Sequence, residues 1–261
     1  MSLLDLFKAY KDQHWVFIAP GGNQGDQMIY LGADKLADQA GIHHKSILYK
    51  KHRDTRVHVF PRDTILYLQG GGGFNRWWNW TPWLLKMIRE ANPDNFIVIG
   101  PTTVDNNRPY LDRFLDLDDN MMFFARERLS FEIMQEYSVD VRLDHDTALC
   151  LRYGDGYLKR LVGELKPKQG ASLLVLRSDD EKGIIPESIN VNDFDLVVDP
   201  CLHGEWAQDH MHAKRIVTNR SHSAIMGAIL LKDTSIFAGA YHKNRSIYKY
   251  SLEAMGVKWL E

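Results

Sequence analysis

The sequence predicts an α/β protein of two lobes with a cleft between them. Short apolar runs alternate with helical patterns along the chain, which is the signature of a parallel sheet with helical crossovers. Polar or glycine-rich turns follow several of those runs directly. Residues 152–170 hold four glycines and a proline with little periodicity, and they separate two such blocks. The expected lobes are 1–151 and 171–261. The last helix is a candidate to pack back on the first lobe. A chain of 261 residues, 44% hydrophobic and 25% charged, can build such lobes around real cores.

Residues 3–10 fit a short amphipathic helix, too short and too weakly basic to favour a membrane over the protein body. Residues 15–19 read as a strand. The turn 20–26 follows, then a helix with Met28, Leu31, Leu36 and Ala40 on one face, stopped by Gly41. His43 and His44 are expected to face solvent, and 47–49 to form a second strand. Residues 64–68 are a clear strand that runs into Gln69 and four glycines. A helix over 83–90 stops at Asn92-Pro93, and a strand over 96–99 ends in Gly100-Pro101. The strand 121–125 leads into a helix to Tyr137, and the short strand 141–143 precedes Asp144-His145-Asp146. The second block has strands at 172–176, 195–198, 216–218 and 235–237, then a helix over 246–255.

The net charge of -2 and pI near 6.6 call for neither nucleic acid nor an anionic surface as partner. Two cysteines, Cys150 and Cys201, imply no disulfide framework, so a reducing cytoplasm is expected. No segment approaches the roughly 18 apolar residues of a spanning helix, and the first residues lack the apolar run of a signal peptide.

The residues 216–231 carry the sharpest chemical signal. A β-branched run ends in Asn219-Arg220-Ser221-His222, and an apolar helix pattern begins at once. Open α/β sheets bind ligands at such strand ends, and the helix N-terminus there offers free N–H groups to anions. Arg220 can fork onto a carboxylate or phosphate, and His222 can move protons near neutral pH.

Two glycine loops add to it. In Gly21-Gly22-Asn23-Gln24-Gly25-Asp26 the glycines allow close backbone approach, and Asp26 reads either as a helix cap or as a catalytic base. The loop matches neither a P-loop nor a dinucleotide fingerprint. Four glycines, Gly70, Gly71, Gly72 and Gly73, each cost backbone entropy, so something is expected to approach that backbone closely. Trp77, Trp78, Trp80 and Trp83 follow; flat indoles suit the C–H faces of sugars, most could equally pack into the core or at a subunit contact, and at least one is expected in the site. Arg126 at the end of a strand can aim into a cleft. Asp144, His145 and Asp146 form too small a set to argue for a metal. Cys201, His203, His210 and His212 do not follow a standard zinc spacing, and a solvated loop fits them better.

Taken in order, these pieces resemble the polysaccharide pyruvyl transferase family. The matching pieces are Gly22-Asn23-Gln24-Gly25-Asp26, Gly71-Gly72-Gly73, Gly100-Pro101 and Arg126-Glu127 with Ser130. Asp146-Thr147-Ala148 follows, where the family usually has Asp-Pro-Ala, then Arg177-Ser178-Asp179, Thr218-Asn219-Arg220-Ser221-His222 and Lys243. The resemblance implies two Rossmann-like lobes similar to those of two-lobed (GT-B-like) glycosyltransferases, with 1–151 on the acceptor side and 171–261 on the donor side. It also implies phosphoenolpyruvate as donor, and a hexose of a cell-surface glycan or lipid-linked oligosaccharide as acceptor. The product is a cyclic ketal with release of phosphate. Peripheral contact with the inner face of the membrane stays open on this reading, and no metal or further cofactor is required.

On that reading Arg220, Ser221, Arg126 and Lys243 bind the donor and His222 is the general acid. Asp26 is the candidate base, and Asn23, Gly25, Gly71, Gly72, Gly73, Trp77 and Trp78 make acceptor or loop contacts. Two alternatives remain open, a sugar-nucleotide glycosyltransferase of similar fold and a non-catalytic glycan-binding relative.

Overall fold

The structure is a computed structural model that describes residues 1–49, 57–115, 120–137, 140–163, 170–199 and 205–261. The chain divides into two compact units. The first holds Met1–Gly22 and Ile29–Cys150, and the second holds Asn23–Met28 and Leu151–Glu261.

The elements of the first unit are α1 (Leu3–Ala9), β1 (His14–Ala19), α2 (Gln24–Ala40), β2 (His44–Leu48), β3 (Thr64–Leu68), β4 (Gly71–Phe74) and α3 (Trp80–Ala91). They continue with β5 (Ile97–Val104), α4 (Arg108–Leu111), β6 (Met121–Ala125), α5 (Arg128–Met134) and β7 (Asp140–Leu143). The first turn of α2 belongs to the second unit. All pairings are parallel, in the order β2-β1-β3-β5-β6-β7, with β4 added on β5. The order reverses between β1 and β3, as in doubly wound sheets.

Side chains of these strands alternate between two cores. Val16, Ile18, Leu66, Leu68, Ile97, Ile99 and Phe123 enter one. Trp15, Phe17, Ile65, Tyr67, Val98 and Phe124 enter the other, with Leu3, Leu6 and Phe7 of α1. The apolar face of α1 is therefore spent on the protein, as its length suggested. A capping box between Ser2 and Asp5 starts the helix. Each fully buried large side chain contributes roughly 1.5–3 kcal/mol.

The structure corrects several sequence expectations. His44 does not face solvent: it lies in β2, stacks on Phe17 at 3.9 Å between centroids, and bonds Asp34 at 3.1 Å. The glycine run is a strand, because β5 runs past Gly100-Pro101 to Val104 and offers β4 a partner edge. Part of the stretch read as linker is helical. Asp155 caps α6 (Gly156–Val162) by accepting from Tyr157 N at 2.9 Å, and Leu158 and Val162 bury one face.

The second unit continues with β8 (Ser172–Val175), β9 (Leu196–Val198), α7 (Trp206–His212), β10 (Arg215–Thr218), α8 (Ser221–Ile229), β11 (Asp233–Ile236), α9 (Lys243–Ile247) and β12 (Lys258–Trp259). A π-helical turn, Tyr248–Leu252, extends α9. The sheet is again parallel, in the order β9-β8-β10-β11-β12. Leu173, Val175 and Ile216 face one core, Leu174 and Val217 the other.

Gly32 shows how tightly the first unit is built. A Cβ there would collide with the backbone of Thr147, whose hydroxyl donates to Ile29 O at 2.8 Å. Gly32→Ala should therefore lower stability by about 1–3 kcal/mol, although alanine favours helices. An unchanged denaturant midpoint would contradict this packing.

Candidate functional site

The second sheet also reverses its order, between β8 and β10, so the loops leaving their carboxyl ends part there. The sequence after β10 forces the geometry. Thr218 Oγ1 donates to Val175 O at 2.8 Å and accepts from Arg220 N at 2.9 Å. Asn219 Oδ1 accepts from Arg177 N at 2.8 Å, which ties the two strand ends together. Asn244 at the start of α9 donates to Asn219 O at 2.7 Å and Phe237 O at 3.0 Å, and accepts from Ser221 Oγ at 2.7 Å. Arg220 is the extended N-cap of α8, so Ser221 and His222 stand in its first turn.

Three cations converge on this point. Arg177 binds Asp179 through Nε and Nη2, both at 2.8 Å, and Glu181 through Nη1. Lys243 Nζ donates to the same oxygen of Glu181. Arg220 Nη2 lies 3.0 Å from Asp199 and 3.9 Å from Asp179. Asp199 is itself held, because Ser178 N at 3.1 Å and Ser178 Oγ both donate to it. Arg177, Glu181, Asn219, Gly239, Tyr241, Lys243 and Asn244 line a narrow, closely packed crevice.

The electrostatics follow from these contacts. Burial opposes ionisation of Glu181, yet the Lys243 and Arg177 charges hold its carboxyl below the usual range. Burial also opposes Asp179, and its hydrogen bonds and charge pairing with Arg177 outweigh that. Burial favours loss of the Arg177 charge, but Asp179 and Glu181 keep its pKa above the ordinary value. The cluster is thus a set of fixed charges that an anion can engage only by competing with carboxylates.

His222 packs against the first glycine loop. A Cβ on Gly25 would lie 2.7 Å from both Cβ and Cγ of His222, so glycine here makes room for the imidazole. Both residues belong to the second unit. Asn23 Oδ1 accepts from Gly25 N at 2.8 Å, and Asp26 accepts from Asn23 N at 2.9 Å. This is a capping arrangement at the start of α2, the structural one of the two roles read for Asp26.

The remaining candidates lie in the first unit. Arg126 is 1% exposed; its Nε donates to Thr103 Oγ1 at 2.8 Å and its Nη1 to Asp146 at 2.7 Å. Those contacts tie β5, β6 and the turn after β7 together. Asp144 accepts from Leu3 N at 2.6 Å, so it and Asp146 are engaged in holding backbone and Arg126. A Cβ on Gly70 would lie 2.8 Å from the Gly100 and Pro101 carbonyl carbons, and one on Gly73 would lie 3.2 Å from Thr81 Cβ. The protein's own backbone and α3 therefore make the close approach expected at these glycines, while Gly71 and Gly72 lie between them in β4. Asn75 Oδ1 accepts from Trp77 N at 2.9 Å and Trp78 N at 2.8 Å, and fixes that loop. Trp77 packs under Arg76, 5.0 Å from its guanidinium, and Trp78 is 45% exposed. Trp80 joins the core and Trp83 packs edge-on to Phe114.

Cys201 and His203 lie outside the described residues. Among the described residues no group of three His, Cys, Asp or Glu side chains is arranged to hold a metal. His210 is not a solvated loop residue as expected. It is buried in α7 with its Nδ1 on Trp206 O at 2.7 Å. No helix among the described residues is long and apolar enough to cross a membrane.

Glu181, Asp199 and Asn244 were not singled out from the sequence. Glu181 lies two residues beyond the quoted Arg177-Ser178-Asp179, and Asp199 directly follows a recognised strand. That last position was the available signal, because strand ends are where such sites form.

The family model for polysaccharide pyruvyl transferase matches residues 23–203. The chain belongs to the polysaccharide pyruvyl transferase family, which implies a transferase. The matched stretch includes Gly25, Arg126, Arg177, Glu181 and Asp199, and it ends before Arg220, His222 and Lys243. No curated protein matches the chain. A crystal structure of an uncharacterized protein, KP1_0663 from Klebsiella pneumoniae subsp. pneumoniae NTUH-K2044, is similar in fold, with a TM-score of 0.69 at 20% identity. The similarity covers 99% of this chain and 96% of that one.

Burial lowers the pKa of His210 from 6.5 to about 4. The unfolded chain thus takes up a proton that the folded chain refuses, and stability falls as pH drops from 6.5 towards 4. The loss attributable to this residue is about 3 kcal/mol over that window. His210→Gln should lose correspondingly less between pH 7 and pH 4 in denaturant titrations. Equal losses in both proteins would contradict the buried neutral imidazole.

Proposed function

We propose that this family member transfers pyruvate from phosphoenolpyruvate to two hydroxyls of a hexose in a cell-surface glycan or its lipid-linked precursor. The product is a cyclic ketal. The observation that carries the reading is the charge cluster beside the N-terminus of α8, at the reversal point of the second sheet, in which Asp179 and Glu181 link Arg220, Arg177 and Lys243.

The donor carries a carboxylate and a phosphate, and both need cations or N–H groups. Arg220 and Lys243 supply the charge, and Ser221 opens a helix, whose N-terminus favours an anion. His222, in the same first turn, protonates the donor's methylene carbon. The resulting cationic carbon is attacked by one sugar hydroxyl, which loses its proton to a base. The C–O bond to phosphate then breaks and inorganic phosphate leaves. The second hydroxyl attacks the same carbon, and loss of its proton closes the ketal. One donor and one diol thus give one ketal and one phosphate, without any redox change.

Asp26 remains the proposed base, with its cap bond as a competing use. The exposed Trp78, with Trp77 and the glycine strand Gly71–Phe74, is the proposed sugar platform of the first unit. Asn23 and Gly25 then act by shaping the loop that faces His222. Arg126 supports the loops of the first unit from within.

One observation favours a second reading. Asp199 follows the second strand of its unit, the place where nucleotide-binding sheets put a carboxylate for ribose. A sugar-nucleotide donor would exploit it. Melting curves separate the two: phosphoenolpyruvate should raise the melting temperature of the purified protein, and nucleotide-sugars should leave it unchanged. The reverse pattern would replace the proposed donor.

With donor and acceptor glycan, the protein should release phosphate, and the glycan should gain the mass of a pyruvyl ketal. His222→Ala should lower kcat by about 10²-fold or more while remaining folded. Near-normal turnover in that variant would remove His222 as the acid. Gly25→Ala should displace the imidazole and cost about 10²-fold in kcat, with a fall in melting temperature because His222 Cβ is also in the way.

A further inference from the structure

Glu181 lies outside every role given so far, yet it is the most enclosed charge at the site, at 2% exposure. One of its oxygens accepts from both Arg177 Nη1 and Lys243 Nζ, and the other lies 3.4 Å from the Tyr241 hydroxyl. Arg177 leaves β8, whereas Lys243 opens α9, so a single carboxylate joins cations from two distant segments. The backbone is fixed as well: Glu181 O accepts from Ala240 N at 3.2 Å, and Glu181 N donates to Asp179 at 3.1 Å. A Cβ on Gly183 would lie 2.9 Å from Ala238 C, so that turn is pressed against the segment leading to α9.

We infer that Glu181 is a positioning residue: it clamps the Lys243 ammonium beside Arg177 and so presets the cationic wall that receives the donor anion. The inference rests on the donor reading above. Two buried cations brought together without a carboxylate between them would repel each other, and Lys243, on its flexible stem, would move first. Arg177 would keep its place, because Asp179 grips two of its nitrogens. The consequence falls on donor binding rather than on the chemical step, because Glu181 does not touch the reacting carbon.

Steady-state kinetics with phosphoenolpyruvate on the full chain test this. Glu181→Gln should raise the donor KM about tenfold and leave kcat within about threefold, the split expected when a binding contact is loosened. In a Lys243→Gln background the same change should alter KM by less than about twofold, because the residue it acts through is gone. Glu181→Asp keeps the charge on a shorter stem and should fall between wild type and Glu181→Gln. It also supplies the comparison if the Gln variant does not fold. A wild-type KM in these variants, or an equal effect with and without Lys243, would overturn the inference. Absence of saturation by phosphoenolpyruvate in the wild type would instead overturn the donor reading, and this inference with it.

Discussion

Two buried asparagines fix the geometry on which the rest of the site depends. Asn219 accepts from the backbone of Arg177 and so joins the ends of β8 and β10. Asn244 grips the carbonyls of Asn219 and Phe237, and takes the Ser221 hydroxyl on its oxygen. Buried amides are costly unless satisfied, and a satisfied network holds one arrangement firmly. Here the arrangement sets where Arg177 leaves its strand, where α8 begins and where Lys243 starts its helix. Three cationic side chains inherit their positions from four neutral hydrogen bonds.

The charges built on that frame balance one another. Arg177, Arg220 and Lys243 face Asp179, Glu181 and Asp199. Removing ions from water is expensive, and pairing them recovers the cost only with good geometry and further hydrogen bonds. The bidentate Arg177–Asp179 contact and the Ser178 bonds to Asp199 supply both. Such a site does not attract anions by bulk charge. A ligand that enters it has to offer its oxygens where the carboxylates now offer theirs.

Much of this was legible in the sequence, and the reasons are physical. The central strands announce themselves because an apolar run over 64–68 or 121–125 has few other homes than a doubly covered parallel sheet. The turn Asn219-Arg220-Ser221-His222 was legible because a strand-to-helix junction leaves polar residues little choice of place. β4 was not, since glycines carry no side-chain period to read. Arg126 looked like a cleft residue because Asp146, twenty positions later, gives no local sign that it will meet it. Glu181 was hidden for the same reason, and Asp199 offered only its place after a strand: their roles arise from tertiary neighbours. Gly25 was read as a place for close backbone approach, whereas the group it makes room for is the imidazole of His222.

The central claim is that the donor anion sits at the carboxyl ends of β8 and β10. A crystal structure of the full chain with phosphoenolpyruvate tests it most directly. Donor oxygens are expected within hydrogen-bond reach of Arg220 and Lys243, with the methylene carbon turned towards His222. Donor density at the glycine strand of the first unit, with Arg220 still on Asp199 and no ligand beside it, would contradict it.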